Sequence, residues 1–279
     1  MKNKMLNING RIRSASDVHL TYKNRAFKYG DAIFDTLKFE NNQIYFIEDH
    51  YFRLMSSMRM LRMTIPMNFT LEYYEGEILK TINNSNYNEN ARIRVTVYRK
   101  DGGLYKPADN EINFIIEIDE LVQLKYKSYE VELYKDFPIF SGTLSTIKTN
   151  NRIVNVIASI FASENDYQNC ILINEKKNIV EAVNANIFLI IGNEIITPAL
   201  TEGCINGIIR KKVIEILKRD KVYKILETVV SPFELLKADE VFITNSIAEI
   251  QSVHKYRKKL YHTEKTQGLV NIFKKSIEI

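Results

Sequence analysis

The sequence predicts an α+β fold organised as two domains, and three observations lead there. Strand-like segments come in runs, with helix-like segments set apart from them. The chain has 279 residues, 45% of them hydrophobic, enough for two modest cores. The pattern weakens between Glu117 and Lys127 and resumes with its own rhythm. Residues 1–117 are therefore expected to form a smaller N-terminal α+β domain, 118–127 a linker, and 128–279 a larger C-terminal α+β domain.

The N-terminal half opens with short strands. TLKFENNQIYF has apolar or β-branched residues on both sides of Glu40-Asn41-Asn42, which predicts a hairpin with a polar turn. In EDHYFRLMSSMRML, Tyr51, Leu54, Met58 and Leu61 recur at near-helical spacing, and Asp49 stands early enough to favour the helix dipole. Arg53 flanks that stripe. A second helix, from about Leu71 to Ile82, ends in the turn-rich NNSNYNEN. ARIRVTVY and INFIIEI then read as strands joined by the glycine-containing loop RKDGGLYKP. In the second half FSGTLSTIK reads as a polar strand, and CILIN and NIVEAV as a hairpin around EKKN. NIFLII and EIITP form another around Gly192-Asn193, a pair suited to positive backbone angles. One helix is expected from near Asn151, with Ile153, Ile157, Ile160 and Phe161 on one face. Another is expected from near Gly207, with Ile209, Val213, Ile216 and Leu217 on one face.

Composition narrows the function classes. With 26% charged residues, 16 Tyr and 14 Phe, this is the composition of a soluble globular protein. No segment approaches the roughly 18 apolar residues of a membrane span, and MKNKMLNINGRIRS lacks the apolar stretch of a signal peptide, so a cytoplasmic location is expected. The net charge of +5 comes from basic residues spread along the chain, which suits solubility and recruitment of an anionic substrate better than a nucleic-acid surface. Cys170 and Cys204 lack metal-ligand spacing, and His19, His50, His254 and His262 lie far apart; neither a disulfide nor a metal is expected.

One lysine among 39 basic residues says nothing by itself; order and context do. The segments RAFKYGDAIFDT, EDHYFRL, IKTNNRIVNVIA, IVEAVNANIF, TPALTEGCINGIIR and FITNSIAEI resemble, in this order, the defining segments of the class IV, or fold-type IV, pyridoxal-phosphate-dependent aminotransferases. The resemblance spans roughly residues 5 to 260 and implies the two-domain fold of the D-amino-acid aminotransferase type. It also implies a homodimer with the cofactor, pyridoxal 5'-phosphate, between domains. Lys148 would be the Schiff-base lysine. A partly desolvated lysine beside a cationic ring loses its proton readily and can attack an aldehyde; once displaced, its amine can take the substrate's α-proton. Glu181, in IVEAV, resembles the glutamate that pairs with the pyridine nitrogen; Ala182 stands where the family usually has Gly. For the phosphate, the resemblance implies Arg53, the amides of Ile208 and Ile209 at a helix start, the hydroxyl of Ser246, and Gly207 for close backbone approach. Many members carry Thr where Ile209 stands. Tyr29 and Arg99 fall where the family lines its substrate pocket.

Within the family, NNRI after Lys148, with Ile153 in place of a tyrosine, and the NGIIR and TNSIAEI segments resemble the aminodeoxychorismate lyases. The resemblance therefore implies an enzyme that converts 4-amino-4-deoxychorismate into 4-aminobenzoate and pyruvate for folate synthesis. An amino-acid aminotransferase, branched-chain or D-specific, using 2-oxoglutarate remains the alternative. A non-catalytic binding protein of the same fold is the distant one.

Overall fold

The structure, a computed structural model, describes residues 4–87, 89–122, 126–220 and 222–277. The chain divides into two compact units, Met1–Gln123 with Lys148–Asn151, and Leu124–Ile147 with Arg152–Ile279. Of the expected linker, 118–120 belong to a strand, and 123–125 lie outside the described residues. Among the described residues no helix is long and apolar enough to cross a membrane.

The first unit contains strands β1 (Met5–Ile8), β2 (Arg11–Ser14), β3 (Ala32–Glu40), β4 (Gln43–Ile44), β5 (Ala91–Arg99) and β6 (Ile112–Glu120), with helices α1 (Arg25–Tyr29), α2 (Ile47–Met60) and α3 (Leu71–Asn83). The strands form one antiparallel sheet in the order β2-β1-β6-β5-β3-β4. Alternation along β5 and β6 sends Ile93, Val95, Val97, Ile116 and Ile118 into a core that α2 and α3 cover, α2 over β3 and α3 over β6. The predicted β3–β4 hairpin forms around Asn41 and Asn42, both at positive φ (54° and 62°), the geometry a tight hairpin turn demands. On α2, Leu54 and Met58 are buried as expected, whereas Tyr51 and Leu61 are half-buried. His50, which no apolar pattern flags, is fully buried on the same helix.

The second unit contains β7 (Glu130–Ile139), α4 (Ile153–Glu164), β8 (Asn169–Asn174), β9 (Ile179–Ala182), β10 (Asn186–Ile191), β11 (Glu194–Pro198), α5 (Ile208–Asp220), β12 (Lys224–Thr228), α6 (Glu234–Lys237), β13 (Glu240–Asn245), β14 (Glu249–Val253), β15 (Lys255–Tyr256), β16 (Lys259–Leu260) and α7 (Glu264–Ile277). They make two sheets, β12-β11-β10-β13-β14 and β16-β15-β7-β8-β9, which share a core of Leu133, Ile171, Ile187, Leu189, Val241 and Val253 among others. Both predicted hairpins form, β8–β9 and β10–β11, the latter turning on Gly192 at φ 58°. Two parallel pairs, β7–β8 and β11–β12, are bridged by α4 and α5 as crossovers that the strand runs did not announce.

Two expectations are corrected. FSGTLSTIK is not a strand throughout. β7 ends at Ile139, and Thr143–Thr146 form a 3-10 turn in which the Ser145 and Thr146 hydroxyls bond back to the carbonyls of Gly142 and Thr143. Short hydroxyl side chains compete with the ladder in this way. On α4 the packed face is Val154, Ile157, Ala158, Phe161 and Ala162, while Ile153 and Ile160 are exposed with Val156. The helix is apolar nearly all round, so periodicity could not select the buried face.

Candidate active site

Residues Lys148–Asn151, expected within the C-terminal domain, group with the first unit because their backbone lies along the edge of β3. Phe34 N donates to Lys148 O (2.9 Å), Asn150 N donates to Ala32 O (3.0 Å), and Ile33 and Thr149 form a bridge. This segment covers the part of β3 that β4 leaves open. The Lys148 ammonium nitrogen stands 4.5 Å from the centre of the Phe34 ring. Arg94 of β5 lies 3.7 Å from the same ring and donates Nη2 to Asn150 Oδ1 (3.3 Å).

Below the segment lies Gly30, the left-handed C-cap of α1 at φ 62°. A Cβ there would overlap Asn151 Oδ1. Gly30→Ala is expected to cost about 1–2 kcal/mol through backbone strain alone and more through displacing Asn151. Thermal melting checks this, and Gly30→Ala combined with Asn151→Ala should recover part of the loss. A variant that melts like the parent would refute the close approach.

Arg53 projects from α2 toward β3, where Asp35 Oδ2 accepts its Nε (3.2 Å) and Asp35 Oδ1 accepts its Nη2. Asp35 Oδ1 also faces His50 Nδ1 at 3.0 Å. Burial alone would raise the Asp35 carboxyl, but the Arg53 charge and then His50 outweigh it and hold the group well below the usual carboxylate range. A carboxyl lowered on folding contributes stability that is fully present above its unfolded value of about 3.9 and is lost as pH falls below it. Asp35→Asn should therefore lower stability at neutral pH and flatten the acid limb of a Tm-against-pH profile. An unchanged acid limb would contradict the pairing.

Phe34 and Asp35 are neighbours on β3 and point to opposite faces, so Lys148 and Arg53 approach the strand from different sides. Tyr29 is half-buried, with the Arg25 guanidinium 4.9 Å and the Tyr105 ring 5.7 Å from its own ring. Arg25 also ties down the 100–110 loop by donating Nη1 to the carbonyls of Gly102 (3.0 Å) and Leu104 (2.6 Å). Arg99 is buried, and each guanidinium nitrogen is engaged: Nε with Asp31 (3.0 Å), Nη1 with Asn110 Oδ1 (2.6 Å) and Arg62 O (3.3 Å), Nη2 with Leu61 O (2.7 Å). Its geometry is that of a brace at the end of β5.

In the second unit Glu181 sits on β9, 4% exposed, and its Oε2 accepts the Ile205 amide (2.8 Å). Arg152 donates Nη2 to Ile147 O (2.6 Å), the carbonyl just before Lys148. Burial lowers the Arg152 guanidinium below its ordinary value while the Glu181 charge works in the opposite direction, which places both groups in one electrostatic environment. Asn186, at the start of β10, donates to Ile205 O (2.8 Å), and a Cβ on Gly207 would overlap its side-chain oxygen. Gly207 is thus required by close approach, not by its turn angle. From there α5 begins. The amides of Ile208, Ile209 and Arg210 precede the first intrahelical bond, Lys211 N to Gly207 O (3.0 Å), and have no acceptor within the helix. Thr244, paired with Asn186 across β10–β13, keeps a buried hydroxyl without a partner among the described residues. Ser246 follows in a turn where Asn245 Oδ1 accepts the amides of Ile247 (2.9 Å) and Ala248 (2.8 Å).

Glu181, Gly207 and the start of α5 are therefore brought to one turn, with Ser246 two residues beyond the partner of Asn186. Sequence reasoning missed Asp35, His50, Arg94 and Asn186. The available signal was polar residues interrupting apolar patterns, Asp35 in AIFDTLKF above all.

The fold has clear counterparts among solved structures. A branched-chain aminotransferase from Thermoproteus uzoniensis, crystallised with norvaline, superposes with a TM-score of 0.90 over 99% of this chain and 95% of its own, at 21% identity. That likeness concerns fold. In sequence, a probable branched-chain-amino-acid aminotransferase of Aquifex aeolicus is 28% identical over 88% of this chain and 81% of its own length. An aminodeoxychorismate lyase of Vibrio harveyi is 25% identical over 87% and 89%. The family model for amino-transferase class IV matches residues 32–256. The chain belongs to this family, and it is a pyridoxal-phosphate-dependent enzyme.

Proposed function

We propose that Lys148 holds the cofactor and moves the substrate's α-proton, and that the reaction is the 4-amino-4-deoxychorismate lyase reaction yielding 4-aminobenzoate and pyruvate. Pyridoxal phosphate presents an aldehyde, a ring nitrogen and a phosphate, and the residues in place suit all three. Lys148 offers a primary amine, Glu181 a buried carboxylate, and the first turn of α5 amides with no acceptor within the helix, over a glycine that admits no side chain. Because the aldehyde and the phosphate are separate substituents of the ring, Lys148 and Arg53 need not meet.

Bound there, the cofactor supplies an electron-withdrawing ring beside the substrate's α-carbon. The protein does the rest. Lys148 Nζ takes up the proton, and Glu181, fixed by the Ile205 amide, keeps the ring nitrogen protonated. The Ile208 and Ile209 N–H groups, the Ser246 hydroxyl and the Arg53 guanidinium donate to the phosphate. Tyr29 lines the substrate pocket, and Arg94, beside the Lys148 segment, gives a substrate carboxylate a cation. Arg99 braces the loop that borders it.

The observation that carries the lyase reading is the pair after the lysine. Asn151 packs over Gly30, Arg152 holds the Ile147 carbonyl within the field of Glu181, and Ile153 stands exposed where branched-chain enzymes place a tyrosine. The name of the Aquifex relative supports the second reading, an amino-acid aminotransferase. Incubation with aminodeoxychorismate, and separately with leucine or D-alanine plus 2-oxoglutarate, decides between them. Release of 4-aminobenzoate and pyruvate without glutamate formation is expected; glutamate without pyruvate would overturn the lyase. The resemblance also implies a homodimer, which light scattering tests.

A further inference from the structure

Behind Arg53 lies a buried polar cluster to which the proposed chemistry gives no part. Asp35 is 1% exposed and His50 fully buried. Asp35 Oδ1 meets Arg53 Nη2, His50 Nδ1 (3.0 Å) and the Thr36 amide (2.7 Å), and Oδ2 meets Arg53 Nε (3.2 Å). A carboxylate held at both oxygens cannot rotate, and a guanidinium bound along its Nε–Nη2 edge has its plane and direction fixed. His50 Nε2 has no partner among the described residues, which suits the neutral ring with Nδ1–H donating to Asp35; a second buried N–H would go unmatched. The Asp35 carboxylate offsets the Arg53 charge.

Such a cluster is poorly explained as a stability device, because a buried ion pair seldom outperforms apolar packing. A strand position between the buried Ile33 and Leu37 could accept an apolar residue in place of Asp35. Offsetting the charge also weakens Arg53 as a bare electrostatic attractor. What the arrangement does supply is orientation.

We propose that Asp35 and His50 are positioning residues that hold Arg53 in one orientation to receive the cofactor's phosphate monoester. This rests on the reading of Arg53 as a phosphate ligand. It makes a prediction of sign. If orientation dominates, Asp35→Asn weakens phosphate recognition although it leaves the site more positive; if net charge dominated, the same change would strengthen it.

The test measures binding to the apoenzyme of pyridoxal 5'-phosphate, of pyridoxal, which lacks the phosphate, and of inorganic phosphate as competitor, by fluorescence and absorbance. Asp35→Asn and His50→Ala should weaken pyridoxal 5'-phosphate binding about tenfold while pyridoxal binding stays unchanged. His50→Asn, which returns a donor near the Nδ1 position, should recover part of the loss. Asp35→Asn added to Arg53→Gln should cause no further loss, since Asp35 acts through Arg53. Equal weakening toward both ligands, or tighter phosphate binding by Asp35→Asn, would overturn the proposal. If Arg53→Gln itself fails to distinguish the two ligands, the phosphate reading of Arg53 falls, and the proposal with it. If Arg53→Gln distinguishes them but neither Asp35→Asn nor His50→Ala does, the positioning proposal alone falls. Should Asp35→Asn not fold, the His50→Ala and His50→Asn pair gives the same discrimination.

Discussion

On the proposed reading, Lys148→Ala should abolish turnover, by at least about 10⁴-fold, because one change removes both the covalent anchor and the proton carrier. The loss should exceed that from any other single substitution: Arg94, which shares the Phe34 ring, stays protonated at any working pH and cannot take over as a base. Fold should survive. The segment is held to β3 by backbone bonds at Phe34 and Ala32, which an alanine retains. Steady-state kinetics measures the loss. Borohydride reduction of the parent, followed by peptide mass analysis, should place the reduced cofactor on the Lys148 peptide. An adduct on another lysine, or a variant that keeps most of its turnover, would remove Lys148 from its assigned role.

Glu181→Gln is expected to lower kcat by about 10²–10³-fold. The substitution is close to isosteric, and the amide oxygen can still accept the Ile205 N–H, so the turn at Ile205–Gly207 keeps its anchor. Only the charge is lost. That charge would keep the ring nitrogen protonated, and it also faces the partly desolvated Arg152 guanidinium. Removing the charge that favours the Arg152 guanidinium should also lower stability, visible as a modest fall in Tm. Glu181→Asp, which restores the charge on a shorter arm, should regain part of the activity. If Glu181→Gln retains full kcat with cofactor bound, the carboxylate has a structural function alone.

How far the sequence revealed these features varied with the kind of signal. The β3–β4 and β10–β11 hairpins were legible because period-two patterns flank Asn41-Asn42 and Gly192-Asn193, residues suited to those turns. The buried face of α4 was not, since Ile153, Val154, Ile157 and Ile160 are equally apolar and the neighbouring strands choose among them. Glu181 and Gly207 could be singled out from ordered motifs, yet the reason for Gly207, the approach of Asn186, depends on a contact 21 residues distant in the chain. Arg99 shows the converse. Nothing at the end of β5 announces in sequence that Arg99 will meet Asp31, Asn110 and two carbonyls. Asp35 and His50 stayed hidden for a similar reason: a buried charge becomes intelligible once its partner, 18 residues on, is seen.

The four residues from Lys148 to Asn151 carry a consequence for biosynthesis. The N-terminal sheet is otherwise complete by Glu120, but the outer edge of β3 is closed by a strip that leaves the ribosome nearly thirty residues later. Until then Gly30 has no Asn151 to pack beneath, and the start of β3 presents an open edge to other nascent strands. A fragment ending near residue 123 would carry that exposed edge permanently. Closure of the first unit's sheet edge and synthesis of Lys148, the residue proposed to hold the cofactor, therefore coincide in the life of the chain.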